Sequence, residues 1–437
     1  MKYTPPPASL FIENRRRLAS RLQPNSLAAV TANDILPTNA DGTLPFRQNS
    51  DLFYLTGVDQ EETILILYPD AFDQDKHTEL LFIRETNDLI ATWEGEKLTK
   101  ERASELTGIP EKNIHWTSAF ATLWRTLMFQ AHRVYLNLNE HPSAHVSIET
   151  RETRFARECL HDFPLHSYER LAPHLAALRS RKSAEELKLL QQAMDITEAG
   201  FRRVAQFVKP GVGEWEVEAE FAHEFIRRQS RGFAYTPIIG TGKNACVLHY
   251  LDNHAVCQDG ELLLLDVAAE YANYNADLTR TLPVNGRFTK RQRKVYNAVL
   301  RVFRGGCDFL RPGVFAKDWN AYVGELMEKE LVDLKLLKMK DVKNQDPEKP
   351  LYKKYFMHGV GHHLGLDVHD VGSATEPVAA GNVFTVEPGL YIREEGMAVR
   401  LENDILIGKT SNTDLMANIP IEADEIEELM ASAPRTA

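Results

Sequence analysis

Along these 437 residues the apolar positions recur at two periods, and the periods alternate in a regular order. Over residues 10–22 the positions Leu10, Phe11, Leu18 and Leu22 stand among arginines, which predicts a helix. Three apolar bursts follow at 26–31, 62–68 and 79–83, each bounded by polar turns, and these read as strands. The stretch 46–57 is polar first and aromatic after, so a loop running into a buried strand is expected there. Strand and helix signals keep alternating through Val134-Tyr135-Leu136 to residues 171–178. That alternation describes a small α/β unit of roughly 170 residues.

Charge interrupts the pattern at Arg179-Ser180-Arg181-Lys182, placing a domain boundary between 1–178 and 179–437. Beyond it Ser183 and Glu186 form a capping box, and Leu187, Leu190, Met194, Phe201, Val204 and Val208 recur at helical spacing until Pro210-Gly211. A second helix is expected over 214–228. A third starts at Thr289, with Gln292 in capping-box position, and a fourth covers about 319–331 before a lysine-rich stretch, 335–354, that reads as a solvated insertion. Between the helices, Leu262-Leu263-Leu264-Leu265-Asp266 is an apolar run closed by an acid. Residues 276–282 alternate strictly, and Asn285-Gly286 follows as a hairpin-type turn. Two helices then strands, twice over, point to an internal duplication.

Composition narrows the class. Hydrophobic content of 43% and charged content of 26% are those of a globular chain with ample core, and the length fits two domains. A net charge of −11 argues against nucleic acid as a partner. No apolar run reaches the ~18 residues of a membrane span, and the amino terminus lacks the apolar region of a secretory signal. Cys159, Cys246, Cys257 and Cys307 show no CxxC spacing and read as reduced thiols. A cytoplasmic location is therefore expected.

The candidate chemistry centres on residues 356–370, where His358, His362, His363 and His369 are punctuated by Gly359, Gly361 and Gly365. Such a backbone turns tightly while presenting imidazoles. Acids also stand where core is expected: Asp266 after four leucines, Asp277 on one face of an alternating strand, Glu387 after Val383-Phe384-Thr385-Val386, and Glu402 after Val399-Arg400-Leu401. Gathering four buried carboxylates without cations is untenable. Arg280 and Arg400 are one source of positive charge. The other is metal, and an oxygen-rich set with one imidazole suits manganese, cobalt, iron or zinc. Four carboxylates carry about −4, which balances two divalent ions that could share a bridging hydroxide. Rival motifs fail: His223-Glu224 lacks the second histidine of HExxH, Asn244 stands where a P-loop needs Ser or Thr, and no GxSxG occurs.

In that order and context, Asp266, Asp277, His362, Glu387 and Glu402 resemble the dinuclear metallopeptidases of pita-bread fold, and among them aminopeptidase P, the Xaa-Pro aminopeptidases. The segments Leu248-His249-Tyr250, Ala276-Asp277-Leu278-Thr279-Arg280-Thr281, Glu387-Pro388-Gly389 and Arg400-Leu401-Glu402-Asn403-Asp404 carry the likeness, and it spans nearly the whole chain. The resemblance implies an α/β (α+β) architecture, with a creatinase-like amino-terminal α/β domain and a catalytic pita-bread domain of pseudo-twofold internal repeat. It implies two divalent ions, manganese foremost with cobalt, zinc or iron as alternatives. Asp277 and Glu402 would bridge them, Asp266 would hold one, and His362 with Glu387 would complete the other.

Glu387 is further implied as the proton shuttle. His249 and His369 would contact substrate or intermediate, with His358 nearby, Arg400 supporting the acids and Tyr235 a candidate for the substrate pocket. The expected substrates are peptides with proline second, and the expected assembly is a homodimer or tetramer. Departures are Asn403 in place of a frequent acid, the additional His363, and a short interval between His369 and Glu387. A dipeptide-restricted prolidase is the nearest alternative; a non-enzymatic binding module is disfavoured because no ligand is lost.

Overall fold

The structure, a computed structural model, describes residues 3–144, 147–373 and 375–432. They divide into two compact units, one over Tyr3–Arg179 and one from Ser180 onward.

The first unit is built on a six-stranded mixed sheet. Its strands are β1 (Ser26–Thr31), β2 (Ile64–Leu67), β3 (Glu79–Ile83), β4 (Ile114–Trp116), β5 (Arg133–Leu136) and β6 (Ser167–Arg170), in the order β4-β3-β2-β1-β5-β6. β2 runs antiparallel to β1 and β3, whereas β1, β5 and β6 are mutually parallel. The apolar bursts are buried throughout β1 and β2, as a sheet covered on both faces requires.

Residues 46–57 depart from expectation. Instead of a strand, Ser50–Thr56 is a helix, begun by Asn49, whose side chain accepts from the Asp51 and Leu52 amides, and ended by Gly57 at φ 68°. Two capping residues eight apart outweighed an aromatic burst that read as β. The helix buries Leu52, Phe53, Tyr54 and Leu55.

In the second unit, the helices Ala184–Phe207 and Glu214–Arg227 precede β7 (Ile238–Thr241), β8 (Leu262–Asp266), β9 (Glu270–Tyr271), β10 (Tyr274–Asn275) and β11 (Thr279–Pro283). The helices Lys290–Phe309 and Ala316–Asp333 then precede β12 (Val383–Val386), β13 (Gly389–Ile392), β14 (Met397–Arg400), β15 (Asn403–Leu406) and β16 (Thr413–Asp414). This repeated order of helix pair and sheet is the internal duplication seen in the sequence. Capping boxes start the first and third of these helices at Ser183 and Thr289. β8 is central in β11-β8-β7, β15 is central in β12-β15-β16, and β13 pairs with β14. The strand β14 lies against both β8 and β11, so the two halves meet along it.

Two local expectations are corrected. Asp277 precedes β11 rather than lying within it, because its backbone amide is taken by the Asp404 carboxylate at 3.1 Å instead of a neighbouring strand. Asn285-Gly286 makes a turn, with the Gly286 amide on the Pro283 carbonyl at 2.8 Å, but the chain enters a helix there and forms no hairpin. Within 335–354 only the short helix Met339–Lys343 and a turn at Leu351–Lys354 interrupt a largely exposed segment.

Candidate metal centre

The histidine run is positioned by β12. Leu364 N bonds to Val383 O at 3.1 Å, Thr385 N to His362 O at 2.9 Å, and Glu387 N to Val360 O at 2.8 Å, an antiparallel ladder that sets His362 beside Glu387. Gly361 permits this approach, since a Cβ there would fall inside contact distance of the Thr385 carbonyl oxygen. The Thr385 hydroxyl accepts from the His362 amide at 3.1 Å and reaches Glu387 Oε1 at 3.4 Å. Asp266 ends β8, and Glu402 follows β14 with its amide on the Thr279 carbonyl at 3.1 Å.

These placements bring the five sequence-predicted ligands together. An oxygen of Asp277, a ring nitrogen of His362 and an oxygen of Glu402 all lie within 4.8 Å of one another. His362 Nε2 is 3.5 Å from Asp277 Oδ2 and 3.5 Å from Glu387 Oε1. Asp266 joins through Tyr235, whose hydroxyl is 2.5 Å from Asp266 Oδ1 and 2.7 Å from Asp277 Oδ1. Tyr235, expected in the substrate pocket, is thus placed with its hydroxyl on the two aspartates.

The charges in this pocket do not balance. Burial, followed by the mutual repulsion of the acids, drives the carboxyls of Asp277 and Glu402 well above their ordinary range. Burial likewise raises Glu387 to about 7, against the opposing pull of Arg400. Asp404, which the sequence reading left without a role, belongs to the set. It is fully buried and driven upward, first by burial and then by Glu402, and its Oδ1 has no hydrogen-bond partner among the described residues. Its signal in the sequence is an acid among the buried positions of β15.

Of the two nearby arginines, Arg400 pairs with Asp266, while Arg280 spends its donors on the carbonyls of Thr279, Glu402, Ile419 and Pro420 and on Asn403 Oδ1. Arginine therefore answers part of the acid charge and leaves the rest to another cation.

The tautomers point the same way. His362 Nδ1 lies 3.0 Å from the His363 carbonyl, which can only accept, so Nδ1 carries a proton and Nε2 is the nitrogen turned toward two carboxylate oxygens. This is the arrangement of ligand atoms around a shared cation, with the other ring nitrogen fixed by a backbone carbonyl. The donor set fits divalent metal.

A second network backs the acids. The Thr279 hydroxyl accepts from Arg400 Nε at 3.1 Å and donates to Glu402 at 2.6 Å. Tyr391 accepts from Arg400 Nη1 at 2.8 Å and reaches His358 Nε2 at 2.8 Å. His358 Nδ1 lies 2.8 Å from the Gly359 carbonyl and 3.8 Å from Glu387 Oε2. Burial and Arg400 push this imidazole down to about 3, so it is neutral at ordinary pH. The His369 ring stacks on His362, centroids 3.9 Å apart, and is exposed to solvent. The exposed His249 is near enough for its charge to act on both Glu387 and His358. The additional His363 packs on Phe384 at 4.1 Å, away from the acids, and burial lowers it to about 4.

A pita-bread repeat whose buried acids and lone imidazole call for divalent cations defines a metal-dependent hydrolase. Residues 188–409 match the model of metallopeptidase family M24, and residues 11–135 match that of the aminopeptidase P amino-terminal domain. The chain belongs to metallopeptidase family M24, and within it to the aminopeptidase P group. It is 35% identical over 436 residues to the Xaa-Pro aminopeptidase of Haemophilus influenzae, with 97% of each chain covered. To that of Escherichia coli K12 it is 33% identical over 447 residues, covering 97% of this chain and 98% of the other. The solved zinc-substituted E. coli aminopeptidase P in complex with product superposes with a TM-score of 0.88 at 33% identity, over 99% of this chain and 100% of that one.

Proposed function

We propose that the protein removes the amino-terminal residue from peptides with proline in second position, using two divalent ions, manganese by preference. The observation that carries this reading is the His362 Nε2 atom facing Asp277 and Glu387 at 3.5 Å each. Asp266, Asp277, His362, Glu387 and Glu402 would hold the ions. When bound, these supply charge compensation for the acids and Lewis-acid activation of water.

The chain's own groups do the remainder. Glu387, beside His362 Nε2 at 3.5 Å, is the carboxylate that would take a proton from the attacking water and return it to the leaving proline nitrogen. Neutral His358, its Nδ1–H held by the Gly359 carbonyl, stands 3.8 Å from that carboxylate, and Arg400 holds Asp266, His358 and Thr279 in register through its three donors and Tyr391. His249 and His369, exposed at the site, are the groups we assign to substrate and intermediate. The free amine of the substrate would lie on the Asp266 side, which restricts cleavage to open amino termini.

We further assign residues 1–178 to an amino-terminal domain and 179–437 to the catalytic one, and propose a cytoplasmic homo-oligomer. No described helix is long and apolar enough to cross a membrane. A prolidase confined to dipeptides is not favoured, since the relatives of near-equal length are Xaa-Pro aminopeptidases.

The test is turnover of Xaa-Pro peptides of two to five residues with manganese, before and after chelation and in Glu387→Ala. Removing a general acid–base group lowers kcat by about 10²–10⁴. Unchanged turnover in the variant, or cleavage of dipeptides alone, overturns the reading.

A further inference from the structure

We propose that Lys182 is a positioning residue for the active-site histidines. Through a buried ion pair with Asp370 it holds the 365–370 loop so that His369 stays stacked on His362. This rests on the reading above, in which His362 holds metal and His369 meets substrate.

The start of the loop is fixed by Asn275, whose Nδ2 bonds to the Gly365 and Leu366 carbonyls at 3.2 and 2.8 Å. After the ladder ends at Leu364, residues 365–370 form no helix or strand. The Gly365 carbonyl accepts from the Asn275 amide at 2.9 Å, and the loop closes where Asp370 N bonds to the His363 carbonyl at 2.9 Å. That closure leaves the Asp370 side chain next in sequence to His369. Its Oδ2 lies 2.8 Å from Lys182 Nζ, and the two side chains are 2% and 1% exposed, 188 residues apart in the chain.

Lys182 is itself a fixed point. Its amide bonds to the Gly381 carbonyl at 2.8 Å, Asn382 Nδ2 bonds to the Ser180 carbonyl at 2.8 Å, and Ser183 then caps the helix Ala184–Phe207. Gly365 leaves the room the pair needs, because a Cβ there would overlap Asp370 Oδ2 and lie 3.0 Å from Lys182 Cε.

A buried ion pair is a poor way to gain stability, since two apolar side chains of similar volume do as well or better. Its directional constraint is what apolar packing lacks. Here the constraint falls one residue from a ring held 3.9 Å from the His362 ring at an interplanar angle of 23°.

The experiment compares the metal-loaded wild type with Lys182→Met, Asp370→Asn and the double variant Lys182→Met/Asp370→Leu, which removes both partners of the pair together. For each, the crystal structure gives the His362–His369 ring separation, elemental analysis the metal content, and steady-state kinetics kcat and KM. Lys182→Met is also made in a His369→Ala background.

The expected result is an opened ring stack and kcat lowered by about 10–100-fold, the usual effect of losing an outer-shell support. The double variant recovers melting temperature but not kcat. With His369 already removed, Lys182→Met changes kcat by less than about twofold, the mark of two residues acting through one contact. An intact stack in the variants, full recovery of kcat in the double variant, or independent effects of Lys182 and His369 overturns the proposal. If the wild type does not cleave Xaa-Pro peptides, the peptidase reading falls, while the ring separation still decides whether Lys182 positions the histidines.

Discussion

Tyr235 donates its hydroxyl toward Asp277 Oδ1 at 2.7 Å while standing 2.5 Å from Asp266 Oδ1. One proton serves two carboxylates, so this half-buried phenol, held far above its usual pKa first by desolvation and then by the two acids, fixes the orientation of both. Tyr235→Phe keeps the ring and removes that restraint. Metal affinity is expected to fall about 10–100-fold with the fold unchanged, as measured by calorimetric titration of the metal-free protein.

Metal removal should make stability depend on pH in a defined direction. In the metal-free chain the carboxyls of Asp277, Glu387, Glu402 and Asp404 are raised above their unfolded values, Glu387 from 4.5 to about 7. Between the unfolded and folded values the native state binds more protons, so stability is fully present below the ordinary carboxylate range and is lost as pH rises through the raised values. The lowered imidazoles of His358 and His363 act the other way up to pH 6.5, but four raised carboxyls outnumber them, so melting temperatures of the chelated protein should decline from pH 4.5 to 7 and beyond. Manganese should abolish that decline and release protons on binding.

Gly361 lies where the histidine run crosses closest to β12. Gly361→Ala puts a methyl group against the Thr385 carbonyl and the Trp319 ring, and both the ladder and His362 must shift. A displacement of this kind costs about 1–3 kcal/mol of stability. Both denaturant midpoint and metal stoichiometry should fall, whereas Gly359→Ala, where the nearest atom to an added Cβ is Asn320 Oδ1 at 3.6 Å, should change neither.

Arg280 is fully buried and lowered to about 10 by that burial, yet its donors go mainly to carbonyls. It ties the β11 edge of the site to residues 419–420. Arg280→Met leaves those acceptors unpaired and should destabilise the domain by about 3 kcal/mol or more in urea unfolding. Arg400→Met, which strips the site of a cation, should instead show its main effect on kcat.

The sequence by itself determined the repeated order of helix pair and strands, because periodicity and capping boxes such as Ser183 with Glu186 are local signals. It also pointed to Asp266, Asp277, Glu387 and Glu402 as acids in apolar surroundings, because a carboxylate after four leucines has no local explanation. At Asn49 and Gly57 the helix signal is present in the sequence, but it competes with an aromatic burst of β character.

Tertiary structure decided what depends on atoms distant in the chain. It placed Asp277 ahead of its strand by giving its amide to Asp404, brought Asp404 into the acid cluster, and turned Tyr235 onto the aspartates. It also joined Lys182 to Asp370 across 188 residues. Sequence patterns report which face of an element is buried. They do not report which buried groups meet there, and that pairing sets the charge balance and the tautomers from which the chemistry follows.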